Sequence, residues 1–286
     1  MHQKGCTVFS AWKHKDRTLN ASCIIPAKNR EDMVIDAVES VLIQTLEEIE
    51  IIVVNDGSTD NTAENVRSAF PQVKLISTPG IGPGPARNTG ARAACGEILM
   101  FLDSDDIWLS NHAEALLKTL RKGYQVAYGV TYNINCMDGS RFHIPDLDNA
   151  ASGDCFSQLA RWCFIVPSSI AITRKAFETT GGFAAGSMGE DWNFFIRLSD
   201  RFHFGLTREI ITIRRLHRDS LCHIPGRTDQ LKKAVTAVRQ ALETSRRTSP
   251  GDIERLIAVE RLITEEGHKW QTVQDWYTSM TRQGLL

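Results

Sequence analysis

The stretch Ile98-Leu99-Met100-Phe101-Leu102-Asp103-Ser104-Asp105-Asp106 decides the reading of this chain. Five apolar residues in a row predict a strand buried on both faces. Three carboxylates crowded at its end repel one another unless a cation sits among them. Hard oxygen donors with no cysteine nearby suit Mg²⁺ or Mn²⁺, ions whose usual partners include a phosphate-bearing substrate. The carboxyl end of a buried strand is also where open α/β sheets bind ligands. Taken alone, the same residues would equally serve as a solvated Asp-rich turn.

Strands and helices alternate on either side of that stretch. Cys23-Ile24-Ile25 predicts a first strand, which Pro26 closes because it cannot donate to a ladder. Met33, Val34, Ala37, Val38, Val41 and Leu42 recur at offsets of three and four, so an amphipathic helix should run from Arg30 to about Thr45. The nearly continuous run Ile49 to Val54 is expected as a second buried strand. Turn residues Asn55 to Asp60 follow, and Asn61 with Glu64 has the form of a capping box. Val73 to Ser77 predicts a third strand, Pro79 to Pro85 a Gly/Pro loop, and Ala86 to Ala94 a short helix ended by Gly96. After the acidic cluster come a helix from about Ser110 to Lys122 and a strand from Gln125 to Val130. Such alternation indicates a parallel sheet built of βαβ units.

Beyond residue 131 the rhythm changes to short strands and broken helices, as in a substrate-facing half. From Thr228 the pattern is helical, with Leu231, Ala234, Val235, Val238 and Leu242 on one face. A Ser249-Pro250-Gly251 break precedes a second run through Ile253, Leu256, Ile257, Val259 and Leu262. This tail is expected to pack on the body or on a partner, and could make a homo-oligomer. The expected division is a leader over 1–19, a body over 20–225 with halves 20–131 and 132–225, and a helical extension over 226–286.

At 286 residues the chain can bury a full core. Its 33 basic and 34 acidic residues leave a formal charge of −1, so no global basic field recruits nucleic acid. Cys6, Cys23, Cys95, Cys136, Cys155, Cys163 and Cys222 are odd in number and scattered, with no CxxC pair. Neither a zinc ribbon nor a disulfide framework is supported, and reduced thiols in the cytoplasm are expected. The leader has no continuous apolar run that could be a signal peptide. No stretch approaches the roughly 18 apolar residues of a membrane helix, which leaves room only for peripheral membrane contact.

Four segments, in order, resemble the family 2 inverting glycosyltransferases with the GT-A fold. They are Ile24-Ile25-Pro26-Ala27-Lys28-Asn29, Val54 to Asp60, Gly84 to Gly90, and Phe101 to Asp106. The similarity continues at Gly181-Gly182-Phe183, Glu190-Asp191-Trp192 and Arg214-Arg215-Leu216-His217. It implies a mostly parallel central sheet flanked by helices, and transfer of a sugar from a nucleotide diphosphate, UDP first among the candidates. The acceptor would be a glycan, a lipid-linked glycan, a protein or a small molecule.

The resemblance also implies roles, each beside a plainer alternative. Pro26, Ala27 and Asn29 would flank base and ribose, or serve as a strand terminator followed by a helix N-cap. Asp56, beside Gly57, would accept the imide N–H of uracil, or cap a turn. Arg87, one turn into its helix, can stack on a base or pair with phosphate oxygens, or make a surface ion pair. Asp103 would face the ribose with Ser104 beside it, and Asp105 would coordinate Mn²⁺ or Mg²⁺ bridging the phosphates, with Asp106 an open third carboxylate. His217 would contact metal or phosphate. Asp191 would be the general base, supported by Glu190 and presented by a flexible segment Ala184 to Gly189; an acidic pair opening a helix is the alternative.

A sugar-phosphate nucleotidyltransferase shares this rhythm and these acidic ligands. It would carry a Gly-rich basic loop after the first strand, where this chain reads Pro26-Ala27-Lys28-Asn29-Arg30. A catalytically inactive nucleotide-sugar-binding module is a further alternative.

Overall fold

A computed structural model describes residues 20–46, 48–186, 188–220, 228–270 and 273–285. The expected leader over 1–19 lies outside the described residues. The first half alternates as expected: β1 (Ala21–Ala27), α1 (Met33–Leu42), β2 (Glu50–Asp56), α2 (Thr62–Ala69), β3 (Lys74–Thr78), α3 (Pro83–Ala93) and β4 (Ile98–Phe101). The chain continues through β5 (Ile107–Trp108), α4 (His112–Leu120), β6 (Val126–Asn135), β7 (Arg141–Ile144) and α5 (Phe156–Leu159). Next come β8 (Ile170–Thr173), α6 (Arg174–Thr180), α7 (Glu190–Ser199) and β9 (Phe204–Leu216). Helices α8 (Thr228–Glu243), α9 (Pro250–Glu266) and α10 (Val273–Arg282) end it.

One nine-stranded sheet runs β3-β2-β1-β4-β8-β6-β9-β5, with β7 paired to β6. Strands β1 to β4, β6 and β9 share a direction, and β5, β7 and β8 oppose it. The strand expected after α4 therefore does not lie against β4. Antiparallel β8 is inserted between them, a non-local pairing that no local periodicity announces. Strands β2 and β4 read as continuous apolar runs because both their faces are covered. One face packs on α1, α2 and α4, through Val34, Val38, Val66 and Leu116. The other carries α3, α5, α6 and α7, through Ala86, Leu159, Phe177 and Phe194.

Three local expectations are corrected. Pro26 does not end β1, which continues to Ala27. The Ile24 carbonyl accepts from Leu102 N at 3.0 Å on the β4 side. Two residues on, Pro26 faces that same side, where β4 has already ended and no donor is needed. The capping box of α2 does not form. Asp60 Oδ1 accepts from the Thr62 amide (3.1 Å) and hydroxyl (2.5 Å), while Glu64 turns outward to Arg67 at 2.6 Å. Helix α3 starts inside the expected Gly/Pro loop. Gly82 (φ 94°) is its N-cap and Pro83 opens the first turn, where a missing N–H is harmless.

The C-terminal helices join the body's core. Val235, Val238, Leu242, Leu256, Val259 and Ile263 are buried in the same cluster as Phe194, Phe195 and Tyr128. Asn193 Nδ2 donates to the Ala237 carbonyl at 2.6 Å, tying α7 to α8. Ser249 and Asp252 form a capping box at the start of α9, with Pro250 in its first turn.

Candidate active site

The acidic cluster and the Glu190-Asp191 pair meet on one guanidinium. Arg87, in the middle of α3, is 4% exposed. Its Nη2 donates to Asp103 Oδ1 at 2.5 Å and its Nη1 to Glu190 Oε1 at 2.9 Å. The group also lies 5.2 Å from the centroid of the Phe183 ring. Burial works against its charge, but Asp103 and Glu190 outweigh that and raise its pKa. Arg87 is thus buried and not on the surface; its hydrogen bonds join the acidic cluster after β4 to Glu190 at the start of α7.

Glu190 and Asp191 open α7, where the helix dipole favours carboxylates. Burial, then the neighbouring Asp191 charge, pushes Glu190 up to about 7 against the pull of Arg87. Burial likewise raises the Asp191 carboxyl, opposed by Arg87 and by the Trp192 amide, which donates to Oδ1 at 2.7 Å. The segment before them is anchored at both ends, while Ala185 and Gly186 are exposed. A Cβ on Gly189 would come within 2.7 Å of Ala234 in α8, and one on Gly84 within 2.6 Å of the Ala184 carbonyl.

Asp105 faces a different set. Its Oδ2 accepts from His217 Nε2 at 3.0 Å and from Arg30 Nε at 3.2 Å. Burial pushes its carboxyl up, but His217 and Arg30 outweigh that and hold it below the usual range. Ser104 is buried beside it. Asp106, the open third carboxylate, is buried and accepts from Ser168 Oγ (2.5 Å) and the Arg215 amide (3.3 Å). Burial, then the charges of Asp105 and Asp103, drives its pKa well up; its bonds to Ser168 and to the Arg215 amide tie the turn to β9.

Among the described residues no group of three His, Cys, Asp or Glu is placed to hold a metal. Asp105 with His217 still fits Mn²⁺ or Mg²⁺, which take few protein ligands and complete their shells with phosphate and water. Ligation through Nε2 needs the neutral tautomer that carries its proton on Nδ1, which here accepts from the Asp219 amide at 3.3 Å.

The loops after β1 and β2 are latched together. The Asn29 amide donates to Ser58 Oγ (3.0 Å), and Asn29 Oδ1 accepts from the Thr59 amide (2.8 Å). Asn29 adopts a left-handed φ of 52° and is not the N-cap of α1, which is Asp32. Pro26 and Ala27 are buried beneath it. Both oxygens of Asp56 are engaged: Oδ1 with Thr78 Oγ1 (2.6 Å) and the Ile81 amide (2.7 Å), Oδ2 with the Gly82 amide (2.8 Å). Gly57 (φ 70°) makes a close approach to Gly80, 2.9 Å from where a Cβ would sit.

This order of motifs on this sheet matches a known family. The family model described as glycosyl transferase family 2 matches residues 22–181. The chain is a family 2 glycosyltransferase. It is 30% identical over 241 residues to a chondroitin synthase of Pasteurella multocida, covering 82% of this chain and 24% of that one. Three uncharacterized glycosyltransferases of Rickettsia also match, and the chain spans 29% to 36% of their lengths. The fold is that of S. aureus TarS 1-349 in complex with UDP-GlcNAc, with a TM-score of 0.64 at 15% identity over 86% of this chain and 72% of that one. It is also that of the mannosyltransferase PcManGT from Pyrobaculum calidifontis in complex with GDP-Man and Mn²⁺, with a TM-score of 0.60 at 17% identity over 95% and 79%.

Sequence reasoning missed two residues of the candidate site. Arg30 binds Asp105 and also donates to the carbonyls of Asn29 (2.9 Å) and Asp219 (3.0 Å). Ser168 donates to Asp106 and receives the Asp103 amide at 3.0 Å. Arg30 follows directly on the Pro26–Asn29 motif, so its place was open to notice; Ser168 carries no local signal. Among the described residues no helix is long and apolar enough to cross a membrane.

Proposed function

We propose that this glycosyltransferase moves a sugar from a UDP-linked donor to an acceptor hydroxyl with inversion, assisted by Mn²⁺ or Mg²⁺. The observation that carries this reading is Arg87, whose guanidinium holds Asp103, on the donor side, beside the pair Glu190 and Asp191. Asp191, its basicity raised by burial, takes the proton of the acceptor hydroxyl. The freed oxygen bonds to the anomeric carbon as that carbon's bond to the diphosphate oxygen breaks, and UDP departs. Glu190 holds Arg87, and Arg87 favours the ionised form of Asp191. Asp105 and His217 would hold the metal, which supplies positive charge to the departing diphosphate. Asn29, Pro26 and Ala27 wall the nucleotide pocket. Asp56 keeps its base-reading role only through lone pairs that the Thr78–Gly82 loop leaves unused.

The TarS complex with UDP-GlcNAc supports a UDP donor, and the PcManGT complex with GDP-Man and Mn²⁺ supports the metal. Free thiols at Cys23, Cys136 and Cys155 favour a reducing compartment, the cytoplasm. The test is incubation with a panel of UDP- and GDP-sugars and Mn²⁺. UDP release that chelation abolishes is expected, with a product of inverted anomeric configuration by NMR. Pyrophosphate release, GDP release alone, or a retained configuration would overturn the reading.

A further inference from the structure

The three carboxylates that follow β4 each have a partner within the protein. Asp103 accepts from Arg87 Nη2 at 2.5 Å. Asp106 is turned to Ser168 Oγ (2.5 Å) and the Arg215 amide (3.3 Å). Asp105 takes Arg30, whose Nε donates to Oδ2 at 3.2 Å. The positive charges that relieve the crowding expected from the sequence are therefore two arginines of the chain itself.

Arg30 touches the carboxylate on which the metal reading depends. The oxygen it binds, Asp105 Oδ2, is also the one that His217 Nε2 approaches at 3.0 Å. An ion held by Asp105 and His217 would lie beside a guanidinium, and Arg30 cancels the charge with which Asp105 would attract that ion. The Arg30 side chain is only 17% exposed, so solvent screens this poorly, and among the described residues it has no second ion pair. Its place is fixed from three sides. The Arg30 amide donates to Thr62 Oγ1 (2.8 Å), Nη1 to the Asn29 carbonyl (2.9 Å) and Nη2 to the Asp219 carbonyl (3.0 Å). Three of the five side-chain N–H donors are thus engaged. The other two suit phosphate oxygens, which a planar guanidinium binds well. A diphosphate brings enough negative charge to satisfy the arginine and a divalent ion together.

We propose that Arg30 competes with the divalent ion for Asp105 and turns to the diphosphate when the donor binds, so that the site takes up metal together with the donor and resists metal alone. This rests on the reading above in which Asp105 and His217 hold the metal. The test is equilibrium dialysis of Mn²⁺ against the protein, with and without UDP, for wild type, Arg30→Gln, Arg30→Lys and Asp105→Asn. Wild type should retain Mn²⁺ weakly alone and more tightly with UDP, and by reciprocity Mn²⁺ should raise UDP affinity by the same factor. Arg30→Gln should bind Mn²⁺ alone about 10-fold more tightly. That is the scale of the repulsion between a single and a double positive charge a few ångströms apart in a water-like dielectric. The gain conferred by UDP should shrink by a similar factor. Arg30→Lys keeps the charge and should behave as wild type does.

Mn²⁺ affinity that fails to rise in Arg30→Gln would overturn the proposal. So would equal tightening in Arg30→Gln and Arg30→Lys, because the bonds of the planar group, and not its charge, would then be at work. Wild type whose Mn²⁺ affinity is unmoved by UDP would overturn it without recourse to any variant. Asp105→Asn that retains as much Mn²⁺ as wild type in the presence of UDP would instead sink the metal reading itself.

Discussion

His112, to which the sequence assigned no role, sits in the core with its ring stacked on Trp108, centroids 3.8 Å apart. Its Nδ1 lies 3.1 Å from the Ile211 carbonyl and Nε2 is buried without a partner. Burial, only partly opposed by the Ile211 bond, holds its pKa down to about 3. The neutral ring is the folded form, so its contribution to stability is complete above an unfolded pKa of about 6.5 and lost as pH falls toward 3. Denaturant titrations from pH 7 to 4 should show this as a slope of at most about 1.4 kcal/mol per pH unit, absent in His112→Phe. Asp191 makes the complementary case, a residue whose removal should spare the fold. Asp191→Asn keeps a carbonyl oxygen for the Trp192 amide, so melting and nucleotide affinity should change little while kcat falls by about 10²–10⁴. Full activity in that variant would pass the role of base to Glu190. Asp191 and Asp103 were legible because each stands in a short motif at the end of an element. Arg30 on Asp105, 75 residues away, and Arg215 on Asp106, 109 residues away, were not, since such pairs exist only once the sheet has formed.

Helix α3 shows how far local pattern reaches at the scale of an element. Its apolar residues are few, and Pro83, Gly84 and Pro85 read as loop because the same residues serve turns and first helical turns alike. Strand β4 poses no such ambiguity, because a run buried on both faces has one reading at that length. What sets α3 in place is Asp56, through bonds to the Thr78 hydroxyl and to the amides of Ile81 and Gly82 just ahead of the helix. Asp56→Ala should therefore speed hydrogen exchange at those two amides and weaken UDP binding by roughly 1–3 kcal/mol. Weakened UDP binding with unchanged exchange would show that Asp56 meets the base directly and does not act through the loop.

Across the whole molecule, the family match ends at residue 181, yet the core does not. Val235 and Val238 cover the same apolar cluster as Phe194 and Phe195, and Gly189, just before the acid pair, lies against Ala234. A chain ending at residue 227 should bind a hydrophobic dye and unfold without cooperativity, and cooperative unfolding of that fragment would make α8 and α9 an accessory. Periodicity announced these helices but could not say what they cover, because the face of α7 that α8 packs against exists only once the body has folded.

The Arg87 bridge carries a thermodynamic consequence that reaches across the molecule. One guanidinium divided between Asp103 and Glu190 makes the two carboxylates rivals for a single charge. On the proposed reading, in which Asp103 turns to a ribose hydroxyl, more of that charge falls to Glu190, whose pKa of about 7 must drop. Donor binding near neutral pH should then expel a proton, visible as a heat that varies with the ionisation enthalpy of the buffer. Reciprocity requires the converse: donor affinity should climb as pH rises through 7 and level off above it, and Glu190→Gln should abolish both effects.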